Sequence, residues 1–286
     1  MEPLPIEKVC ELARTIPCAP SVLPLVLDVL NKEESNVQDV QEVIEKDPGL
    51  AGSILRMANS AYFSGGRPCD TLDAAVVRLG RKEIYRITAS SIAGKWLVQE
   101  VSGYGWEPGD LCKHSLCVGV AAELICSQRQ NINPELAYTA GLLHDVGKLG
   151  LAYACSDHFN EIFEYQNEHQ CSWRHAEKEM LGYDHCVVGG ELLKSWSFPE
   201  NLVQIASYYA QPDLAEPEHL ELALVVHAAK HLALILGFGV GEEGFTTELN
   251  QELLTEHHFD AEELQLLLPD LLEKSEKLIE ASEELP

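Results

Sequence analysis

The spacing of apolar residues most limits what this chain can fold into. Along nearly all of its 286 residues, apolar positions recur three or four apart, and the alternation typical of strands is almost absent. Val37, Val40 and Ile44 show this spacing on one predicted helix, which ends before Pro48. Because the periodic runs are short, the pattern predicts an all-α fold of packed helices, and a long coiled coil is excluded.

Glycine and proline are concentrated at two places and suggest three parts. The stretch 101–109 combines three glycines with a proline, so it is the best internal boundary. We therefore expect an N-terminal helical part at 1–100 and a second helical part at 101–238. The third part is residues 239–286, where a glycine-rich stretch at 237–244 precedes two predicted acidic C-terminal helices.

The charge balance excludes two classes of partner. The chain has 20 basic and 46 acidic residues, a net charge of −26. Nucleic-acid binding needs a basic surface that neutralises phosphates. Docking to an anionic membrane also needs a basic surface. No apolar run reaches the roughly 20 residues that a membrane-spanning helix requires. We therefore expect neither a nucleic-acid partner nor a membrane.

The cysteines and the first residues favour the cytoplasm. The 9 cysteines form no CxxC pair, their number is odd, and several lie within predicted helices. This usage is typical of reduced core thiols rather than of a disulfide framework. The start of the chain also lacks the basic residues of a secretory signal. A cytoplasmic protein is the expectation.

The motif most indicative of chemistry is Gly-Leu-Leu-His-Asp-Val-Gly-Lys-Leu at residues 141–149. His144 and Asp145 offer an imidazole nitrogen and a carboxylate oxygen to one cation. If residues 134–154 form a single helix, as the pattern predicts, the two side chains point roughly 100° apart. A shared cation would then lie beyond the helix edge, and other helices would have to supply further ligands.

Four other histidines are candidates for those ligands. His114 lies on the preceding predicted helix, and His185 begins a later one. His175 and His227 are further options. A lone histidine on a helix is more often structural than metal-binding, so the dyad with His114 is the stronger grouping.

Several segments resemble a known superfamily. Residues 114–118, 141–148 and 184–189 look like the HD superfamily of metal-dependent phosphohydrolases. The segments before them closely resemble the HDOD domain, the HD-related output domain of bacterial signalling proteins; they are residues 23–24, 47–50, 55–63 and 71–80. The resemblance runs from about residue 16 to about residue 211. It implies an all-helical fold, with an HDOD-type N-terminal subdomain on an HD-like core, and a bacterial regulatory setting.

The resemblance also implies ligand roles. His114, His144, Asp145 and His185 match the superfamily's metal-binding positions, which would hold one divalent transition metal ion if any cofactor is present.

Three residues depart from the HD pattern. Tyr208 and Tyr209 stand where related cyclic-dinucleotide phosphodiesterases carry a His-His pair. Lys230 stands in place of the superfamily's last ligand, an aspartate. A lysine ammonium would repel a dication and could take its place beside Asp145. These departures make a two-metal centre improbable.

Two functions remain open from the sequence. The first is a bacterial regulatory module of HDOD type, not catalytic, that acts through protein–protein contacts in a signalling pathway. The alternative is a residual phosphohydrolase that uses one metal ion on a nucleotide or phosphodiester.

A local basic cluster has two interpretations as well. It consists of Arg56, Arg78, Arg81, Lys82 and Arg86. Its members could pair with nearby acidic residues on the helices, or they could form a docking face for an acidic partner or a nucleotide phosphate.

Overall fold

The chain folds into packed helices. A computed structural model describes residues 4–13, 25–26, 29, 36–59, 63, 68–97, 101, 103–129, 132–239, 241 and 246–283. Within these ranges there is no strand, which confirms the all-α prediction. The helices are α1 Ile6–Ala13, α2 Val37–Ile44, α3 Pro48–Asn59, α4 Leu72–Leu97, α5 Asp110–Ser127, α6 Pro134–Leu143, α7 Val146–Ala154, α8 Phe159–His169, α9 Trp173–Leu181, α10 His185–Ser195, α11 Glu200–Tyr208, α12 Leu220–Ile235, α13 Gln251–Glu256, α14 Ala261–Gln265 and α15 Leu268–Glu283.

Side-chain caps fix where several helices begin. The Asn133 side chain accepts hydrogen bonds from the backbone N–H groups of Glu135 and Leu136 at the start of α6. Pro134 lies between Asn133 and Glu135 and has no backbone N–H that would need an acceptor. Asp184 accepts from the backbone N–H of Val187 at 3.0 Å, so His185 becomes the first residue of α10. These caps matter for function because they set the position of the candidate ligands that follow them.

The predicted single helix over 134–154 is wrong. The chain leaves helical hydrogen bonding at His144 and Asp145, and Asp145 has φ −98° and ψ 15°. The segment is therefore two helices, α6 and α7, joined by a two-residue turn. This turn removes the roughly 100° separation expected on a continuous helix and lets both side chains face the same space.

Two glycines allow the helices around this turn to approach closely. A Cβ atom at Gly147 would lie 1.8 Å from the backbone oxygen of His185. One at Gly141 would lie 2.7 Å from the backbone oxygen of Val118 on α5. Any larger residue would push α7 away from α10, or α6 away from α5. The glycines of the motif thus bring the elements that carry the candidate ligands into direct contact.

Helix α5 lies at the centre of the second part. It packs against α6, α12 and α15, while α10 packs against α7 and α11. From the N-terminal part, α4 contacts α5 and α6, and α1 contacts α7 and α10. A partly buried ion pair between Arg86 and Glu123 joins α4 to α5. The division at about residue 100 stays a prediction.

The C-terminal part has three helices, α13 to α15, where two were predicted. The extra break follows α13, where His258 adopts a left-handed conformation with φ 60°. Arg129 holds this turn, because its guanidinium donates to the backbone oxygens of His257 and His258 and lies 3.7 Å from the ring centroid of Phe259. The acidic extension is thereby fixed to the end of α5.

Cysteines lie within the helices, as expected for core thiols. Cys117 and Cys126 are buried on α5, and burial raises the pKa of both thiols to about 12. None of the helices in the described part of the chain is both long enough and apolar enough to cross a membrane.

Candidate functional site

Three histidines converge on the carboxylate of Asp145. The Nε2 atoms of His144 and His114 lie 3.3 and 3.5 Å from its Oδ2 atom. The Nε2 atom of His185, on the other side, lies 3.8 Å from Oδ1. All four residues are buried. The α6–α7 turn, α5 and α10 therefore bring together the four predicted ligands, whose metal-binding role stays a prediction.

Backbone carbonyls fix the tautomers of two of these histidines. The Nδ1 atom of His144 is 2.6 Å from the Gly141 oxygen, and that of His114 is 3.1 Å from the Phe238 oxygen. A carbonyl only accepts hydrogen bonds, so Nδ1 carries the proton in each ring. Each buried Nε2 atom is left with a lone pair and without a hydrogen-bond partner. Such orphaned acceptors, facing a carboxylate, are the pattern of a metal or water site.

Two ammonium groups and a phenol also contact the carboxylate. Lys148 Nζ donates to Asp145 Oδ2 at 2.5 Å and lies 4.4 Å from the ring centroid of Trp106. Lys230 Nζ lies 3.3 Å from Asp145 Oδ2 and 3.2 Å from Tyr209 Oη. The Tyr209 hydroxyl donates to Asp145 Oδ1. The protein itself therefore supplies positive charge and hydrogen bonds to this buried anion.

A second buried carboxylate orients His185. Glu177 Oε2 accepts from the backbone N–H of His185 at 2.9 Å and from its Nδ1 at 2.6 Å, while Tyr104 donates to Oε1 at 2.5 Å. The Nε2 atom of His185 lies 3.0 Å from Tyr209 Oη, whose own proton goes to Asp145. Both ring nitrogens must therefore donate, which makes His185 an imidazolium. Burial alone would lower its pKa, but Glu177 and Cys186 together outweigh burial and raise the pKa well above the ordinary value.

The remaining ionisable groups follow the same electrostatics. Burial would raise the pKa of Asp145, but His144, Lys148 and Lys230 outweigh it and hold that pKa well below the usual range. Burial lowers the pKa of His144 to about 4 and also lowers the pKa of His114. The site thus holds an ionised carboxylate beside two neutral imidazoles.

The available ligand atoms suit a single metal ion, but the positive charges beside them oppose its binding. Ligand atoms of His114, His144 and Asp145 all lie within 4.8 Å of one another. Two imidazole nitrogens and a carboxylate oxygen suit a divalent transition metal such as zinc. However, the Lys148 and Lys230 ammonium groups contact the same carboxylate and would repel the ion.

The other predicted candidates lie outside this group. His175 is exposed on α9. His227 is buried, but its Nδ1 donates to the Tyr209 carbonyl and its Nε2 accepts from the backbone N–H of Asn250, so both nitrogens have structural partners. Of the two tyrosines at lost-ligand positions, Tyr209 reaches Asp145 and Tyr208 is half-buried at the end of α11.

Sequence reasoning missed three contributors to the site. Lys148 had a signal, because a basic residue three positions after an acidic one is a frequent helical pair. Glu177 on α9 and the Phe238 carbonyl after α12 had none, since their partners His185 and His114 are distant in the chain. Only the packing of α9 on the start of α10, and of the 237–239 stretch on α5, reveals them.

The described members of the basic cluster form intramolecular bonds. Arg56 donates to Ser53, Arg78 donates to the Ala58 carbonyl at 3.0 Å, and Arg86 pairs with Glu123. The side chains of the other two predicted members lie outside the described part of the chain.

Comparison with known proteins identifies the family. The model of the HDOD domain matches residues 16–212, more than two thirds of the chain. The chain belongs to the HDOD domain family. Asp145 and its three histidines lie inside the matched HDOD region, whereas Lys230, the Phe238 carbonyl and the acidic helices lie beyond it.

Two solved structures share the fold of this protein over almost the whole of its chain. One, from Marinobacter aquaeolei VT8, is provisionally described as a signal transduction protein; its TM-score is 0.74 at 21% identity, covering 98% of this chain and 62% of that one. The other, from Shewanella amazonensis SB2B, is provisionally described as a phosphohydrolase; its TM-score is 0.67 at 27% identity, covering 97% and 98%.

This chain spans less than half the length of one curated relative. That relative is an uncharacterized protein of Treponema pallidum (strain Nichols), 23% identical over 212 residues. The aligned region covers 74% of this chain but only 40% of that relative's length.

Proposed function

We propose that this HDOD protein is a non-catalytic regulatory module of bacterial signalling that acts through contacts with a protein partner. The observation that carries the proposal is the state of Asp145. This fully buried carboxylate is satisfied by the Lys148 and Lys230 ammonium groups and by the Tyr209 hydroxyl. A buried carboxylate needs a compensating cation, and here two lysines serve in place of a metal.

The same contacts argue against hydrolysis. Metal-dependent phosphohydrolysis needs a cation that activates water and balances the developing negative charge. The superfamily's last carboxylate ligand is Lys230 in this chain, and the expected His-His pair is Tyr208-Tyr209. These changes remove ligands and add repulsion at the position that a cation would take.

The runner-up function has its own support. The Nε2 atoms of His114 and His144 are buried without hydrogen-bond partners, as expected for ligands of one metal ion. The Shewanella relative's description as a phosphohydrolase favours the same interpretation. A single ion on these residues and Asp145 would supply a Lewis acid for a nucleotide or phosphodiester substrate.

Metal analysis separates the two functions. We expect protein purified without chelator to hold far less than one transition-metal ion per chain. Lys230→Asp should raise the affinity for a divalent transition metal because it restores a carboxylate and removes a repelling charge. Lys194→Asp, on the exposed side of α10, is the matched control and should leave metal affinity unchanged.

Activity and partner assays complete the test. Wild-type protein should not turn over cyclic dinucleotides or nucleoside phosphates with added metal. Robust hydrolysis that is abolished by Asp145→Ala would reverse the proposal. Affinity capture from the source bacterium should recover a specific signalling partner, and capture should be retained by Asp145→Asn if the site only supports the fold.

A further inference from the structure

The N-terminal helix α1 occupies an apolar groove between α7 and α10. It contacts both helices and buries Val9, Cys10 and Ala13 against them. A Cβ atom at Gly150 of α7 would lie 2.8 Å from the Leu192 side chain of α10 and 3.8 Å from the Cβ atom of Ala13. Ala13 therefore lies where the two groove helices meet. The groove is made by the matched HDOD region, whereas α1 ends before residue 16, where that match begins.

Small side chains hold α1 in the groove. The helix has 8 residues, and helices of that length have little stability in water without packing. Its buried residues are a valine, a cysteine and an alanine, which remove less apolar area from water than leucine or phenylalanine would. At its start, Tyr183 Oη donates to the Leu4 carbonyl at 2.6 Å. A terminal helix held in this way should open at a lower free-energy cost than the central helices do.

Apolar surface remains uncovered beside α1. Tyr153 lies three residues after Gly150, hence on the same side of α7, and its side chain is 52% exposed. The other end of α1 lies at Tyr183, whose hydroxyl is 3.8 Å from the Cys155 thiol just after α7. Helix α1 therefore runs past Tyr153 without covering it. An occupant with larger side chains would bury more apolar area in the same groove.

The two groove helices begin at residues of the Asp145 site. Helix α7 starts directly after Asp145, and His185 is the first residue of α10. A helix that lies in the groove contacts both elements, so its affinity depends on the spacing between them. The groove therefore offers a partner a surface whose shape depends on the state of the buried site.

The overall charge favours one kind of occupant. The chain carries a net charge of −26, and the exposed face of α1 carries Glu7, Lys8 and Glu11. The field of an acidic protein attracts a basic segment and repels a second copy of the same chain. A basic amphipathic helix is therefore favoured over α1 itself and over the α1 helix of another copy.

We propose that the groove between α7 and α10 is the docking surface for the protein partner, and that a basic amphipathic helix of the partner displaces α1 from it. The apolar residues of that helix follow the spacing of Val9, Cys10 and Ala13, and its outer face carries lysine or arginine. The inference rests on the proposed function, because it names the surface through which the regulatory module contacts its partner. Helix α1 is then an internal competitor, and the apparent affinity falls in proportion to the fraction of molecules with an open groove.

A labelled peptide serves as the probe for the partner helix. It has the sequence of residues 3–14, with Glu7 and Glu11 replaced by lysine and Cys10 by alanine. Two further peptides are its controls. The first keeps Glu7 and Glu11, and it should bind more weakly at low ionic strength. The second adds Val9→Asp to the probe and should bind about tenfold more weakly or worse, because it places a charge in an apolar groove.

Fluorescence anisotropy then compares full-length variants with the wild type. Val9→Asp should detach α1 and bind the probe about tenfold more tightly than the wild type, or tighter, because the internal competitor is removed. Ala13→Asp, one turn further along α1, should have the same effect through an independent change. Lys8→Asp introduces the same side chain on the exposed face of α1 and should bind as the wild type does.

A change in the groove wall locates the bound probe. In the Val9→Asp background, Tyr153→Ser should weaken binding about threefold or more, since it removes apolar area at the groove. Phe163→Ser on α8 is the matched control, because its ring is also exposed, at 41%, but lies outside the groove. Hydrogen exchange in Val9→Asp should rise in α1 and stay unchanged in α5. A rise in both helices contradicts the claim that α1 can separate from the core.

The remaining outcomes are also decisive. Equal probe affinity in the wild type, Val9→Asp and Ala13→Asp overturns the groove, and so does an effect of Tyr153→Ser no larger than that of Phe163→Ser. Equal affinity of the lysine and glutamate peptides at low ionic strength overturns the basic partner class. A wild-type dimer in light scattering that Val9→Asp dissociates assigns the groove to a second copy and overturns the proposal. These results leave the metal analysis standing, whereas a bound metal ion with robust hydrolysis overturns the proposed function and leaves probe binding unchanged.

Discussion

Replacing Lys230 with methionine tests how the buried charge of Asp145 is satisfied. Losing one partner of a buried ion pair costs about 3–5 kcal/mol when the other partner is left unpaired. Here Lys148 remains 2.5 Å from the carboxylate, whereas the Lys230 contacts are long, at 3.3 Å to Asp145 and 3.2 Å to Tyr209. We therefore expect Lys230→Met to lower the free energy of unfolding by about 2 kcal/mol.

Lys148→Met provides the internal comparison. Lys148 is fully buried and makes the shorter bond to the carboxylate, so its loss should cost more, roughly 3–5 kcal/mol. Both variants are unfolded with denaturant in the presence of chelator, and Lys194→Met on the exposed side of α10 is the control. A double-mutant cycle of Lys230→Met with Asp145→Asn should give a coupling of about 1–2 kcal/mol. If Lys230→Met is as stable as the control, or lowers the free energy of unfolding more than Lys148→Met does, then the two lysines do not share the charge of Asp145 in the way proposed.

Three further predictions concern pH, packing and the C-terminal part. Burial lowers the folded-state pKa of His144 to about 4, so the unfolded chain binds a proton at this residue at higher pH than the folded chain does. The free energy of unfolding should therefore fall as the pH drops from about 6.5 to about 4. His144→Gln should reduce this pH dependence in chelator-treated protein. Gly147→Ala should lower the free energy of unfolding by about 3 kcal/mol or more, because the added Cβ would meet the backbone of His185. The control is Gly52→Ala on α3, where the nearest atom is 3.4 Å away on a flexible side chain, and it should be neutral or stabilising. Denaturant unfolding measures both variants. Arg129→Gln should speed hydrogen exchange in residues 251–265 without changing exchange in α10, because Arg129 holds the turn after α13. An equal change of the exchange rate in both regions, or no change in either, would contradict this role.

Local sequence signals predicted the helices well and the site in part. The three-to-four spacing gave the fold class, and Asn133 and Asp184 mark helix starts by capping chemistry that acts over three residues. The break at His144 and Asp145 was missed because apolar residues continue through it. The segment contains no proline to mark the break, and α7 packs on α10 directly after it.

Contacts between distant residues were the part that could not be predicted. The family pattern grouped His114 with Asp145, but nothing in it indicates that the Phe238 carbonyl sets the His114 tautomer across 124 positions. Glu177 was likewise one acidic residue among 46 until α9 was seen to pack on the first residue of α10. Such partners depend on tertiary packing, which a periodic pattern constrains only loosely.

The identity of residue 230 links the family resemblance to the charge balance of the site. An aspartate at this position carries one negative charge and a lysine carries one positive charge, so the exchange raises the charge of the site by two. That is the charge of the divalent ion that the HD pattern would place beside Asp145. A lysine can therefore replace both the ligand and the ion in electrostatic terms, although it cannot activate water as a metal does. Because the two states differ by one side chain, Lys230→Asp should exchange the ammonium for a metal while α5, α7 and α10 keep their packing, and a crystal structure of that variant with and without zinc would decide it.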